Sequence, residues 1–214
     1  MIINSDFQPQ NQKLLLLFGT GGHGRVVADA ALLQGQWDSV LASSRNLPMH
    51  ITQLLPGVNF VDFKEHIYTG AALHFSIGNN GSRQTEANAL GIDRLASVVH
   101  PRACVSIFSQ IGAGSFVAAG AVIGPLAVVG LGVIVNHCAV IDHDAEVGDF
   151  SHISQGASVC GHAKLGQRVL IGIGAVVLSS VVLGDDVTLS SGSVANGDLL
   201  APGVYGGIPA VKID

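Results

Sequence analysis

The chain is short of charge. Asp, Glu, Lys and Arg make up 12% of its 214 residues, about half of the roughly 25% of an average globular chain. The net charge is −5 and no basic run occurs, which argues against nucleic-acid binding. Long apolar runs are missing too, so no membrane insertion is expected. Residues 1–13 are polar and lack the apolar segment of a signal peptide. The three cysteines, Cys104, Cys138 and Cys160, are not in register with one another, which disfavours disulfides and fits a reducing cytoplasm. Clusters of polar turn residues every eight to twelve positions, the mark of an ordinary β-sandwich, are also lacking. With 48% hydrophobic residues, a sizeable core is easily built. So uncharged a surface further suggests that other subunits cover part of it.

A strict period of six fills the second half. Val99, Val105, Ile111, Val117, Ile123, Val129, Val135 and Ile141 begin it, and an aliphatic residue returns every six positions to Leu189 without an insertion. The fifth position of each hexad is always Ala, Ser or Val, and Gly recurs at the second, as in Gly112, Gly124, Gly130 and Gly148. A helix would place apolar residues three and four apart. A hexad instead makes one short strand and a corner, with the large aliphatic inside and, by this reading, the second-position Gly supplying corner dihedrals. Three hexads close a coil of 18 residues, and coils stack at about 4.8 Å.

The first part of the chain has another pattern. Residues 14–18 are an apolar run, followed by Gly19-Thr20-Gly21-Gly22-His23-Gly24-Arg25 and by residues 26–34 of helical composition. Strand, glycine turn and helix form a phosphate cradle. Residues 38–42 and 73–77 read as further strands, residues 54–61 lead towards another, and residues 82–90 read as a helix. A small parallel α/β sheet results, with ligands expected beyond its carboxyl edge. There the glycine loop and the stretch from Gly78 to Arg83 meet. The second strand ends in Ser43 and Ser44, not in the acidic residue of a dinucleotide site, so a nicotinamide cofactor is disfavoured.

Together, Gly21-Gly22-His23-Gly24-Arg25, Ile77-Gly78-Asn79-Asn80 and the later hexads resemble the bacterial nucleotide-sugar N-acetyltransferases and the related sialic acid O-acetyltransferases, a family of hexapeptide-repeat acyltransferases. The resemblance implies an α/β N-terminal Rossmann-like domain over residues 1–96. A left-handed parallel β-helix with a C-terminal tail would follow over residues 97–214. It implies acetyl-CoA as co-substrate, no metal, a homotrimer, and a nucleotide-activated amino sugar held by Gly22, His23, Gly24, Gly78, Asn79 and Arg83. UDP-sugar members of the family usually carry an Asp pair after the second strand, where this chain has Ser43-Ser44, so the nucleotide base stays open.

The same resemblance picks out Asn136-His137-Cys138-Ala139-Val140-Ile141-Asp142-His143-Asp144. Forming an amide from a thioester needs an uncharged amine, and imidazole has the pKa of a suitable base. His143 is implied as that base and Asp144 as its partner, which fixes the tautomer. Strand neighbours point to opposite faces, so this pair can meet only at a corner. His152 is implied as a donor to the thioester oxygen. Gly161, Ile173 and Ser191 are implied as coenzyme A contacts, with the tail Gly206-Gly207-Ile208-Pro209-Ala210 beside the pantetheine arm. One feature comes from spacing alone: His162 lies one coil after Asp144, within reach of it, and the pairing is left open.

The expected activity is therefore transfer of the acetyl group of acetyl-CoA to the amino group of a nucleotide-linked 4-amino-dideoxy sugar, for polysaccharide or glycoprotein biosynthesis in the cytoplasm. Three alternatives remain: sugar O-acetylation, a non-catalytic module that binds a sugar nucleotide, and a zinc hydratase on the same scaffold, which would gather three histidines around one metal.

Overall fold

A computed structural model describes residues 13–45, 52–62 and 70–213. The N-terminal part begins with β1 (Leu14–Phe18) and α1 (Gly22–Gln34). Strands β2 (Ser39–Ser43), β3 (Gln53–Leu55), β4 (Val58–Phe60) and β5 (Ala72–Phe75) follow, and then α2 (Asn80–Leu90). The sheet order is β3-β4-β2-β1-β5. All its pairs are parallel except the β3–β4 hairpin at one edge. Residues 54–61 thus hold a hairpin where the pattern suggested a single lead-in. Because β1 and β5 are neighbours, the glycine loop and the Gly78 stretch share the carboxyl edge. Ser76 Oγ donates to the Gly19 carbonyl at 2.8 Å and ties the two together.

Helix α1 starts four residues earlier than its composition suggests, at Gly22 rather than Val26. Gly22 and Gly24 lie in its first turn, and Gly19 and Gly21 precede it. Its N-cap, Gly21, makes no side-chain cap, so among the described residues no side chain at the cap satisfies the first amides. By contrast, α2 is capped by Asn79, whose side chain accepts from the Ser82 amide at 2.9 Å.

From Val98 onward the chain coils into a three-faced β-helix. Two-residue strands recur every six positions and pair in parallel at a spacing of 18, as Val122 pairs with Val140 and Val140 with Ser158. The first face carries Val98–Val99, Phe116–Val117, Ile134–Val135 and His152–Ile153, and ends in the hairpin of Gly203–Gly207 with Ala210–Lys212. The second carries Val122–Ile123 and Val140–Ile141, and the third Val128–Val129 and Glu146–Val147. Inside, the aliphatic first positions and small fifth positions form one column from Val117 to Ala210.

The corners correct one expectation. Positive φ falls at the fourth hexad position, not the second. It is taken by Gly114, Gly120, Gly132, Gly156, Gly174 and Gly192, and by eight residues that are not glycine, among them Cys138, Asp144 and His162. The second-position glycines answer a different need. A Cβ on Gly124 would stand 2.7 Å from the His143 amide nitrogen in the next coil. Close stacking, not dihedral freedom, keeps that position empty.

The α/β sheet sits on the first face. Leu15, Val27 and Ala30 pack with Val98, Phe116 and Ile134 on one side of it, and Leu16, Phe18 and Phe75 pack with Phe150 on the other. Residues up to Ala96 pair with β5, through the Ala96 amide and the Leu73 carbonyl at 2.8 Å.

Candidate active site

His143 and Asp144 occupy the corner between the second and third faces. Asp144 has φ 58°, a left-handed conformation that Asp tolerates better than most residues. That turn swings its carboxylate back beside its neighbour, and His143 Nδ1 stands 2.9 Å from Asp144 Oδ2. Nδ1 therefore carries the proton, and Nε2 keeps its lone pair with no hydrogen bond to any described residue. The ring is half exposed, at 51%. The hydrogen bond to Asp144 raises the His143 pKa above 6.5, with a further push from the charge of Asp142. The imidazole lies over Gly161, where a Cβ would come within 2.7 Å of its Cε1 and Nε2. Gly161 is thus buried under the ring. His162, one coil on, meets the same ring edge to face at 5.3 Å. Its Nε2 is 3.9 Å from Asp144 Oδ2, close enough for an ion pair and too far for a hydrogen bond.

A second cluster lies elsewhere, under the α/β sheet. A cavity of about 300 Å³ is lined by Gly22, His23, Gly78, Asn136, His137 and His152. Asn136 organises it. Its Oδ1 accepts from the His137 amide at 2.9 Å, which fixes the orientation of its carboxamide, and its Nδ2 lies 3.1 Å from His152 Nε2. Nε2 of His152 is therefore an acceptor, and the Gly78 backbone also lies against the ring. Burial and the nearby Arg83 charge hold its pKa near 4. His23 is neutral as well, with a pKa near 3 caused first by burial. Its ring packs on Phe116 at 5.4 Å, and its buried Nε2 has no hydrogen-bond partner among the described residues.

Three expected ligand contacts also have structural duties. Arg83 is 1% exposed. It donates to the carbonyls of Gly132, Ile77, Gly78, Phe150 and Ser151 and to the Asn80 side chain. No N–H is left for a substrate, and the residue clamps the sheet to the β-helix. The Asn79 side-chain oxygen caps α2. Gly24 is glycine because a Cβ there would collide with the Gly19 carbonyl. Gly22 and Gly78 differ, for a Cβ on either meets nothing within 4 Å. Ser43 turns inward to the Val61 carbonyl at 2.7 Å, and Thr20 donates to Ser44 at 3.2 Å.

The remaining coenzyme A candidates split between corners. Ile173 and Ser191 are exposed on the corner between the first and second faces, one and two coils beyond Gln155 and in line with His137. Gly161 stands with His143 on the other. The tail hairpin extends the first face next to them, with the Gly207 amide donating to Ser193 Oγ at 3.0 Å. Gln155 lines the cavity with Asn136 and His137 and was assigned no role from the sequence. Stacking the chain at 18 residues puts His137, Gln155, Ile173 and Ser191 in one column, and that signal would have found Gln155. Among the described residues no helix is long and apolar enough to cross a membrane.

Two family models match, the PglD N-terminal domain over residues 14–90 and the bacterial transferase hexapeptide (six repeats) over residues 162–197. Among solved structures, the acetyltransferase domain of PglB from Neisseria gonorrhoeae is 31% identical. The match covers 94% of this chain and all of that one, with a TM-score of 0.84. PerB from Caulobacter crescentus, solved with CoA and GDP-perosamine, is 28% identical over 94% of this chain and 97% of that one, with a TM-score of 0.85. WeeI from Acinetobacter baumannii, at 20% identity and a TM-score of 0.85, shares the fold. No curated protein matches the chain by sequence. A PglD-type sheet carried on a hexapeptide β-helix, matched end to end by the PglB domain, makes this chain a member of the bacterial nucleotide-sugar N-acetyltransferase family.

Proposed function

We propose that the protein transfers the acetyl group of acetyl-CoA to the amino group of a nucleotide-linked 4-amino-dideoxy sugar. The observation that carries this is His143, with Nδ1 held by Asp144 at 2.9 Å and Nε2 free. The sugar amine attacks the thioester carbonyl as Nε2 takes its proton. Asp144 keeps the tautomer and stabilises the imidazolium that forms. Collapse of the tetrahedral adduct expels the coenzyme A thiolate, which takes the proton back from His143. The uncapped N-terminus of α1 suits the diphosphate, and the open space at Gly22 and Gly78 leaves room for it. The PerB structure, with its CoA and GDP-perosamine, supports the same pairing of substrates here.

The site belongs between subunits. His143 and the His23–His152 cavity lie on different corners of one β-helix, and the fold gives no path between them across its filled interior. A homotrimer that sets one chain's His143 corner against a neighbour's cavity and its Ile173–Ser191 column brings all the parts together. The test is acetylation of UDP-, GDP- and dTDP-linked 4-amino sugars, followed by mass gain of one acetyl. His143→Ala is expected to lower kcat by about 10²- to 10⁴-fold with the fold intact. Near wild-type turnover in that variant would overturn the assignment, and acetylation of a hydroxyl sugar instead would make the enzyme an O-acetyltransferase.

A further inference from the structure

The His143 corner holds more than a catalytic pair. One ligand atom from each of His143, Asp144 and His162 lies within 4.8 Å of the other two. His162 has no part in the transfer chemistry argued above, yet its Nε2 points at the carboxylate that His143 uses, at 3.9 Å. Two imidazoles and a carboxylate are a common donor set for a borderline cation such as Zn²⁺, which binds nitrogen and carboxylate oxygen at about 2.0–2.2 Å. Tetrahedral bonds of that length set ligand atoms about 3.3 Å apart. The two separations seen here, 2.9 Å from His143 Nδ1 and 3.9 Å from His162 Nε2 to Asp144 Oδ2, bracket that value. Small side-chain rotations would equalise them. Both histidines are exposed, at 51% and 61%. The left-handed corners at Asp144 and His162, with φ of 58° and 60°, stack the two side chains directly, one coil apart. A fourth position faces solvent.

We propose that His143, Asp144 and His162 form a Zn²⁺-class site, and that metal bound there silences the enzyme by occupying the base and its carboxylate together. The cation forms coordinate bonds to two neutral imidazoles and one carboxylate oxygen. It needs no redox partner, and removing it restores the His143–Asp144 hydrogen bond. The silencing rests on the reading of His143 as the base, whereas the binding does not.

The test uses the full chain, freed of metal with a chelator. Titration with Co²⁺ alone should give visible ligand-field bands that saturate at one metal per chain and are displaced by Zn²⁺. Zn²⁺ should inhibit acetyl transfer, and EDTA should reverse the inhibition. His162→Asn keeps a residue suited to the left-handed corner, and His162→Gly serves if that variant folds poorly. Either is expected to keep the metal-free kcat, lose the Co²⁺ bands, and need at least tenfold more Zn²⁺ for half inhibition. Unchanged Co²⁺ bands, or unchanged Zn²⁺ inhibition, in both variants would overturn the site. Bands lost in both variants while metal-loaded wild type turns over normally would support the site and sink the general-base reading instead.

Discussion

At the residue scale, a single left-handed corner brings a carboxylate to its neighbouring imidazole. Adjacent residues on a strand face away from each other, and only the turn at Asp144 brings its carboxylate to its own neighbour. That hydrogen bond is the largest cause of the raised His143 pKa, and its sign sets a pH profile. If His143 is the base, as proposed, it acts unprotonated, and activity should fall as pH drops through its raised pKa. Asp144→Asn removes the main cause of the shift. Its acid limb should move to lower pH, while kcat falls because the amide no longer imposes the right tautomer or stabilises the imidazolium. A pH–rate profile of kcat/KM in both proteins checks this, and an unmoved acid limb would show that Asp144 does not act through His143. The pair was legible in the sequence because its motif spans a run of nine residues. Arg83 was not. Its position beside a glycine-asparagine turn reads as a ligand contact, and only the fold reveals that carbonyls from two successive coils of one corner, far away in sequence, converge on it. Such a side chain is buried by tertiary packing, which a local pattern does not encode. His152 is similar: the residue was found, but its hydrogen bonds depend on Asn136 one coil away.

At the scale of elements, glycine carries three meanings that look alike in sequence. In the hexads the second-position glycines allow coils to stack, and the fourth-position glycines turn corners. In α1 the two helical glycines differ again. Gly24 avoids the Gly19 carbonyl, and Gly22 faces open space. The two therefore separate in a direct comparison. Gly24→Val should destabilise the N-terminal sheet and lower the Tm, because a side chain there meets backbone. Gly22→Val should fold normally, raise KM for the nucleotide sugar strongly and leave KM for acetyl-CoA nearly unchanged, because only a ligand would meet its side chain. Calorimetric titration with UDP-, GDP- and dTDP-linked 4-amino sugars measures the binding loss and also finds the base that Ser43 and Ser44 leave open. Equal, weak binding of all three, indifferent to Gly22→Val, would make the turn purely structural. The six-residue period gave the coil plan almost completely, since every core position repeats. The start of α1 was misjudged because glycine has low helix propensity, and here its missing side chain outweighs that penalty.

At the scale of the molecule, three faces have three uses. The first is covered by the α/β sheet, and Arg83 locks the two together through carbonyls on both sides of the joint. The second and third meet at the His143 corner, next to a surface that exposes Ile107, Phe108 and Leu126, at 90%, 65% and 61%. Apolar side chains so open suit burial against another copy of the chain, in keeping with a sequence so poor in charge. Because His143 and the cavity are held on separate corners, two crippled chains should repair each other if the site is shared. One variant lacks the base, His143→Ala. The other has the cavity filled, Gly22→Val, or the column blocked, Ser191→Trp. Each homotrimer should be nearly inactive. Unfolded and refolded together, the mixture forms trimers in which an intact His143 corner faces an intact cavity at some interfaces, and a substantial fraction of activity should return. Light scattering should give a trimer mass throughout. Monomers under assay conditions, or mixtures no more active than the sum of their parts, would mean that one chain completes the site alone.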